Sequence, residues 1–141
     1  MDRHTKEQRR RNMQAIRSRN TKPEMIVRKF LHAAGFRYRL HDKRLPGHPD
    51  IVLPKYHCVV FVHGCFWHGH ECETFRWPQS NADFWRRKIE DNRLRDERQQ
   101  DALRADGWRV IVIWECELRP GVRECTLADL EAAIRQDKEE T

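Results

Sequence analysis

The sequence predicts a single α/β domain with a mixed central sheet flanked by helices. Three observations support this fold class. A chain of 141 residues can bury one core but not two independent ones. Short runs rich in β-branched residues alternate with charged or amphipathic stretches of helical length. In order along the chain, these segments read helix, strand, hairpin, helix, strand and helix.

The composition excludes several classes of protein. Apolar residues make up 38% of the chain and charged residues 35%, and no run of about 18 apolar residues occurs. The sequence begins Met-Asp-Arg-His, without the apolar stretch of a secretory signal. We therefore expect a cytoplasmic protein with no membrane span. Five cysteines, an odd number, favour metal binding by some of them over a disulfide framework.

Charge is distributed unevenly along the chain. Residues 1–45 hold 14 Lys and Arg against 4 Asp and Glu, whereas residues 46–141 hold 14 against 18. A basic segment ahead of a more acidic body indicates an arm that binds polyphosphate, in particular DNA. A solvated basic tail and an anionic membrane surface are the alternatives. We divide the chain into a basic arm with a short helix, residues 1–20, and a domain over residues 21–141.

The first element of the domain is a helix with a clear start and stop. Thr21-Lys22-Pro23-Glu24 has the capping-box spacing, and Gly35 suits the stop after about Ala34. Residues 36–40 alternate at period two, which predicts a strand.

A hairpin and a loop follow. The turn at residues 45–49 leads into a strand over 50–53, and a second, more apolar strand covers 58–63. Residues 64–79 lack periodicity and carry most of the unusual side chains.

The last third of the chain predicts three further elements. A charged helix is expected from about Asp83 to Ala105, followed by Gly107. The β-rich run 108–114 predicts a central strand. A final helix is expected to begin at Thr126.

The densest group of chemically active residues lies in the loop. Cys65, His70 and Cys72 are spaced so that all three could reach one ion. A structural Zn²⁺ takes four ligands, so a distant group must complete the shell. Cys116, just after the 108–114 strand, is the preferred fourth donor, and His63 and His68 are competitors. Buried thiols without metal are the alternative reading.

A second group surrounds the hairpin. Pro49-Asp50 opens one strand and His63 ends the next, a partial match to the catalytic core of restriction endonucleases. Asp50 can bind Mg²⁺, which prefers oxygen ligands and polarises a phosphate. His63 or His68 can take a proton from the attacking water. A zinc ligand or an ordinary loop histidine is the alternative for either ring.

The third group is aromatic. Phe66 and Trp67 are adjacent in the loop, and Trp85 opens the long helix beside Arg86, Arg87 and Lys88. Rings next to cations suit base stacking and insertion between base pairs. Packing in the core is the alternative for all three rings.

Four segments together resemble the very short patch repair (Vsr) DNA mismatch endonuclease family. They are Leu-Pro-Gly-x-Pro-Asp at 45–50, Phe-x-His-Gly-Cys-Phe-Trp-His-x-His-x-Cys at 61–72, Asp-Phe-Trp-x-x-Lys-Ile at 83–89, and Gly-Trp-Arg-Val-x-x-x-Trp-Glu-Cys at 107–116. The likeness extends from about Asn12 to Leu118. It implies a zinc-containing, restriction-endonuclease-like fold and a nick 5′ of the thymine in a T:G mismatch arising from deamination of 5-methylcytosine.

The resemblance also implies roles for individual residues. Asp50 would bind Mg²⁺ together with the backbone carbonyl of Val62, which stands where relatives can have threonine. The general base candidate would be His68. His63 and Glu24 would support the network of water and phosphate, and Asp96 would orient a histidine. The implied zinc ligands are Cys65, His70, Cys72 and Cys116. The implied DNA contacts are Phe66, Trp67, Trp85, Met13, Lys88 and Asn92.

Rival functions remain open on sequence alone. A less specific restriction-like nuclease would cut both strands, and a non-catalytic zinc module would bind DNA without cutting it. The arrangement His-x-Glu followed by Pro-Cys-x-x-Cys of zinc deaminases is absent from the sequence. The expected partners are double-stranded DNA and mismatch-repair accessory proteins. A monomer, nucleoid-associated when bound to DNA, is expected.

Overall fold

The computed structural model describes residues 20–73 and 75–136 of the chain. Within these ranges there are three α-helices, α1 (Lys22–Ala33), α2 (Ala82–Ala105) and α3 (Arg123–Arg135). The four strands are β1 (Arg39–Leu40), β2 (Ile51–Leu53), β3 (Cys58–His63) and β4 (Arg109–Trp114). The predicted α/β class is confirmed. The short helix predicted for the N-terminal arm, with Met13, falls in residues 1–19, which lie outside the described residues.

The sheet is mixed, with strand order β1-β2-β3-β4. The pairs β1–β2 and β2–β3 are antiparallel, and β3–β4 is parallel. The hairpin prediction is therefore confirmed. A parallel neighbour needs a long crossover, and α2 supplies it between β3 and β4.

Helices cover the two faces of the sheet. On one face, Ile51, Leu53 and Val60 pack into a core with residues of α1 and α3. On the other face, Val52 and Val59 pack with Leu103 of α2. Successive strand residues point to opposite faces, so a strand covered on both sides is apolar throughout.

Three predictions about elements were wrong in detail. The 108–114 run was expected in the centre of the sheet, but β4 stands at the end of the strand order among the described residues. Its apolar character comes from the helices on both faces. Of the predicted strand 36–40, only Arg39–Leu40 pairs with a neighbouring strand. Phe36 instead belongs to the end of α1, because its N–H donates to the Leu31 carbonyl at 3.0 Å. Helix α3 begins at Arg123, and Thr126 lies inside its first turn.

The start of α1 matches the predicted cap. The Thr21 hydroxyl accepts a hydrogen bond from the Glu24 N–H at 3.3 Å. In a capping box the Glu24 carboxylate would return to the Thr21 N–H, but here it accepts from the Asn20 N–H at 3.2 Å. Glu24 is only 1% exposed, which is unusual for a carboxylate in a first turn. Its burial places an acid at the floor of the candidate site.

No helix among the described residues is both long and apolar enough to cross a membrane.

Candidate active site

A cleft of about 950 Å³ opens at the end of the hairpin where β2 starts and β3 finishes. Two polar clusters line it. We name them the carboxylate cluster, Glu24, His41 and Asp50, and the histidine cluster, His63, His68 and Asp96. In each cluster the potential ligand atoms lie within 4.8 Å of one another.

Asp50 is fixed by the strand beside it. Its Oδ2 accepts a hydrogen bond from the Val62 N–H at 2.7 Å, because the antiparallel register brings the end of β3 opposite the start of β2. Val62 therefore contacts Asp50 through its N–H, and the ligand role expected for its carbonyl stays a prediction. Burial raises the pKa of Asp50 to about 6; the Val62 hydrogen bond opposes this, and the nearby Glu24 carboxylate adds to it. A cation beside the two carboxylates would reverse that shift.

The histidine cluster joins β3, the loop and α2. The imidazoles of His63 and His68 stack with ring centroids 3.7 Å apart. Nδ1 of His68 lies 2.5 Å from Oδ2 of Asp96. If Nδ1–H donates to that carboxylate, Nε2 keeps the lone pair that a general base needs. Burial lowers the pKa of His63 to about 3, with the neighbouring His68 acting in the same direction, so His63 is neutral at physiological pH.

A third cluster lies behind the cleft. The donor atoms of Cys65, His70, Cys72 and Cys116 lie within 4.8 Å of one another, and we name this set the thiol cluster. An ideal tetrahedral zinc site has ligand atoms about 3.8 Å apart, so a small contraction would close this one. Three thiols and one imidazole are the donor set of a closed structural site. Cys116 completes the set, whereas His63 and His68 belong to the histidine cluster.

The imidazole of the thiol cluster is positioned by a neighbouring indole and by one of the thiols. The imidazole of His70 stacks on the Trp114 indole, with centroids 4.1 Å apart and planes within 10°. Nδ1 of His70 lies 3.6 Å from Sγ of Cys116. Burial raises the pKa of Cys65 to about 12 and raises that of Cys116, and a bound cation would favour both thiolates instead. No disulfide joins any two of the five cysteines.

The loop at 64–72 supplies members of the histidine cluster and of the thiol cluster through tight turns. The His68 N–H donates to the Gly64 carbonyl at 3.3 Å, and the His70 N–H to the Cys65 carbonyl at 2.9 Å. These turns send successive side chains in different directions. Gly69 makes the close approach to α2 possible: its φ is +64°, and a Cβ there would lie 2.5 Å from Cγ2 of Ile89.

The aromatic cluster, Phe66, Trp67 and Trp85, lies at the edge of the cleft. Its three pairs of ring centroids are 5.1 to 5.8 Å apart, and all three side chains are half-buried. Phe66 and Trp67 also line the cleft. Rings that pack together yet keep an accessible edge can act as a wedge against a base stack.

Helix α2 connects the aromatic cluster to the histidine cluster. Trp85, Lys88, Asn92 and Asp96 are spaced so that they lie along one face of it. Asn92 is 4% exposed, its amide N–H donates to the Trp67 carbonyl at 2.9 Å, and its Oδ1 accepts from Arg95 at 3.1 Å. In this structure Asn92 therefore holds the 64–72 loop. Lys88, one turn before Asn92 on α2, is half-buried.

Sequence reasoning missed His41. The sequence gives it no motif, yet its Nε2 lies 2.9 Å from one oxygen of Glu24 and 3.1 Å from the other. The antiparallel register of β1 and β2, which pairs Leu40 with Ile51, places the next residue opposite Asp50. That register is the signal that could have found it.

The chain is similar to known proteins over most of its length. Residues 1–74 match the family described as DNA mismatch endonuclease Vsr. The chain belongs to this family. It is 54% identical to the type II nicking enzyme V.XorIIP of Xanthomonas oryzae pv. oryzae, over 95% of this chain and 94% of that one. It is 45% identical to the DNA mismatch endonuclease Vsr of Escherichia coli, over 84% of this chain and 76% of that one.

A further relative extends the pattern. The type II nicking enzyme V.NmeAIP of Neisseria meningitidis is 56% identical over 76% of each chain. Membership of the Vsr family makes this chain a DNA endonuclease with a restriction-endonuclease-like fold, and its partner is DNA.

Proposed function

We propose that this chain is a Mg²⁺-dependent endonuclease that nicks double-stranded DNA 5′ of the thymine in a T:G mismatch. The observation that carries the proposal is the meeting of the carboxylate, histidine and aromatic clusters around one cleft. The names of the relatives, a mismatch endonuclease and nicking enzymes, support the substrate and the single-strand cut.

The carboxylate cluster suits the cation. Asp50 and Glu24 offer oxygen ligands at the edge of an open cleft with room for waters and phosphate oxygens. Mg²⁺ there would polarise the scissile phosphate and stabilise the leaving oxygen. Asp50 binds and orients, and the Val62 N–H fixes the carboxylate in place.

The histidine cluster suits proton transfer. Nε2 of His68 takes a proton from the attacking water while Asp96 holds Nδ1 and stabilises the imidazolium that forms. His63, neutral and stacked on His68, keeps the ring plane fixed without adding a competing positive charge.

The thiol cluster suits a structural Zn²⁺. The four donors leave no open position for a substrate, so the ion would hold the 64–72 loop rather than react. The aromatic cluster would enter the base stack at the mismatch, where unstacking is least costly.

The test uses two duplexes that differ only in one T:G or T:A pair. The enzyme should nick the T:G duplex on the thymine strand only with Mg²⁺ present, and Asp50→Ala should lose about 10³-fold or more of this rate. Equal cutting of both duplexes would refute the mismatch specificity. Linear product from a plasmid would indicate a double-strand nuclease, and full activity of Asp50→Ala would refute the mechanism.

A further inference from the structure

His41 contacts both acidic residues of the carboxylate cluster, Asp50 through the main chain and Glu24 through the side chains. Its main-chain N–H donates to the Asp50 carbonyl at 3.1 Å. Its imidazole Nε2 lies 2.9 and 3.1 Å from the two Glu24 oxygens, close enough for one N–H to be shared by the whole carboxylate. One residue therefore ties a helix start to a strand start.

The backbone of His41 is held in an uncommon conformation. Its φ is +48°, in the left-handed region that residues with a Cβ rarely adopt. The chain turns sharply here, directly after β1, and this turn aims the imidazole across the cleft at Glu24. Such conformations persist where surrounding contacts over-determine them, and they cluster at functional sites.

Glu24 needs an external donor to stay beside Asp50. Its carboxylate is buried, and it has competing donors in the Asn20 N–H at 3.2 Å and the Arg28 guanidinium at 3.3 Å. Asn20 precedes α1 and Arg28 lies one turn after Glu24 on the same helix, whereas His41 comes from the turn after β1. Two neighbouring carboxylates repel each other when ionised, so without a partner across the cleft Glu24 would turn towards Asn20 and Arg28.

We propose that His41 is a positioning residue that directs the Glu24 carboxylate towards Asp50, so that the two acids bind a divalent cation as one site. The inference rests on the proposed function, in which Asp50 binds the catalytic cation. The Nε2 of His41 is engaged by the Glu24 carboxylate, so in this proposal His41 acts through Glu24 and is not itself a ligand of the cation.

Binding of Mn²⁺, measured from the electron paramagnetic resonance of the unbound ion, tests this without relying on turnover. His41→Gln keeps an N–H donor for Glu24, whereas His41→Leu fills the space without one. His41→Leu should weaken Mn²⁺ binding about tenfold, and His41→Gln less than about threefold. His32→Leu, on the exposed side of α1, is the matched control and should bind as the parent protein does.

A double substitution separates positioning from general destabilisation. If His41 acts through Glu24, adding His41→Leu to Glu24→Gln should cause no further loss of Mn²⁺ affinity. Zinc content and the thermal midpoint of unfolding show whether each variant is folded. If leucine does not fit at position 41, His41→Ala serves as a second variant without a hydrogen-bond donor for Glu24.

Several results would overturn the inference. They are unchanged Mn²⁺ affinity in both variants without a donor, equal loss in His41→Gln and His41→Leu, or additive losses with Glu24→Gln. A parent protein that binds no Mn²⁺ and nicks without any divalent cation would overturn the proposed function as well. Cation-dependent nicking by the parent with unchanged affinity in His41→Leu would overturn the positioning role alone.

Discussion

The carboxylate cluster and the histidine cluster line the same cleft but respond to burial in opposite ways. Burial raises the pKa of Asp50 to about 6 and lowers that of His63 to about 3. In both cases the low dielectric of the interior disfavours the charged form. An incoming cation would favour ionisation of Asp50, whereas it would keep His63 neutral.

The two clusters also differ in how they are anchored. Adjacent residues of β3 serve both, since the Val62 N–H holds Asp50 while the His63 ring joins the histidine cluster. The remaining members come from different elements. Those of the carboxylate cluster come from α1 and the turn after β1, and those of the histidine cluster come from the 64–72 loop and α2. The proposed function gives the two clusters separate tasks, cation binding and proton transfer, and substitutions should be able to uncouple these tasks.

Removing His68 should give the largest effect that separates the clusters. His68→Ala should reduce the nicking rate at saturating Mg²⁺ by about 10²–10⁴-fold, because the proposed general base is lost. The Mg²⁺ concentration for half-maximal rate should stay unchanged. Glu24→Gln should show the converse, a raised Mg²⁺ requirement. A His68→Ala enzyme with the same shift in Mg²⁺ requirement as Glu24→Gln would show that the clusters are not separable.

Loss of the thiol cluster should disturb the histidine side more than the carboxylate side, because the 64–72 loop carries His68. Cys72→Ser should lower zinc content and reduce the unfolding free energy by about 3 kcal/mol, roughly 10 °C in thermal midpoint. Cys125→Ser, at an exposed thiol, is the control and should change neither. Full zinc content in Cys72→Ser, measured by elemental analysis, would remove Cys72 from the site.

The aromatic cluster should set substrate preference and leave the two polar clusters intact. Trp67→Ala should lower the preference for the T:G duplex over the T:A duplex about tenfold, since one stacked ring contributes about 1–3 kcal/mol. Trp77→Ala removes an indole that packs on Phe75 and Arg86 outside this cluster, and it should keep the preference. Competition cleavage of labelled duplexes measures both, and an unchanged ratio for Trp67→Ala would contradict the wedge.

The smallest expected effect is on stability as a function of pH. Folded Asp50 keeps its proton up to about pH 6, whereas the unfolded residue loses it near 3.8, so stability falls with rising pH between those values. Asp50→Asn keeps the acceptor for Val62 without this penalty. Without divalent cations it should be more stable than the parent by on the order of 1–2 kcal/mol at pH 7.5, with the gain lost below pH 4. Urea denaturation measures the difference, and a gain independent of pH would contradict the raised pKa.

Local pattern predicted most of the fold. The start of α1, the hairpin of β2 and β3, and the long helix α2 were expected from caps, turn residues and apolar runs. The position of β4 was not, because a strand covered by helices on both faces is apolar at an edge as well as in the centre. The alternation at 36–40 was misleading since Phe36 packs into the core without strand pairing.

The sequence alone determined the composition of the candidate site wherever its residues are close together. Eight residues, 65–72, hold three of the four thiol-cluster donors, two rings of the aromatic cluster and His68. Cys116 and Asp96 were expected from the sequence and its family resemblance, and the tertiary structure brings Cys116 to the other thiols and Asp96 to His68. Only the tertiary structure decided that His41 lies beside Glu24. The physical reason is that spacing along the chain fixes what one loop can present, whereas strand register and helix packing fix which groups approach it from elsewhere.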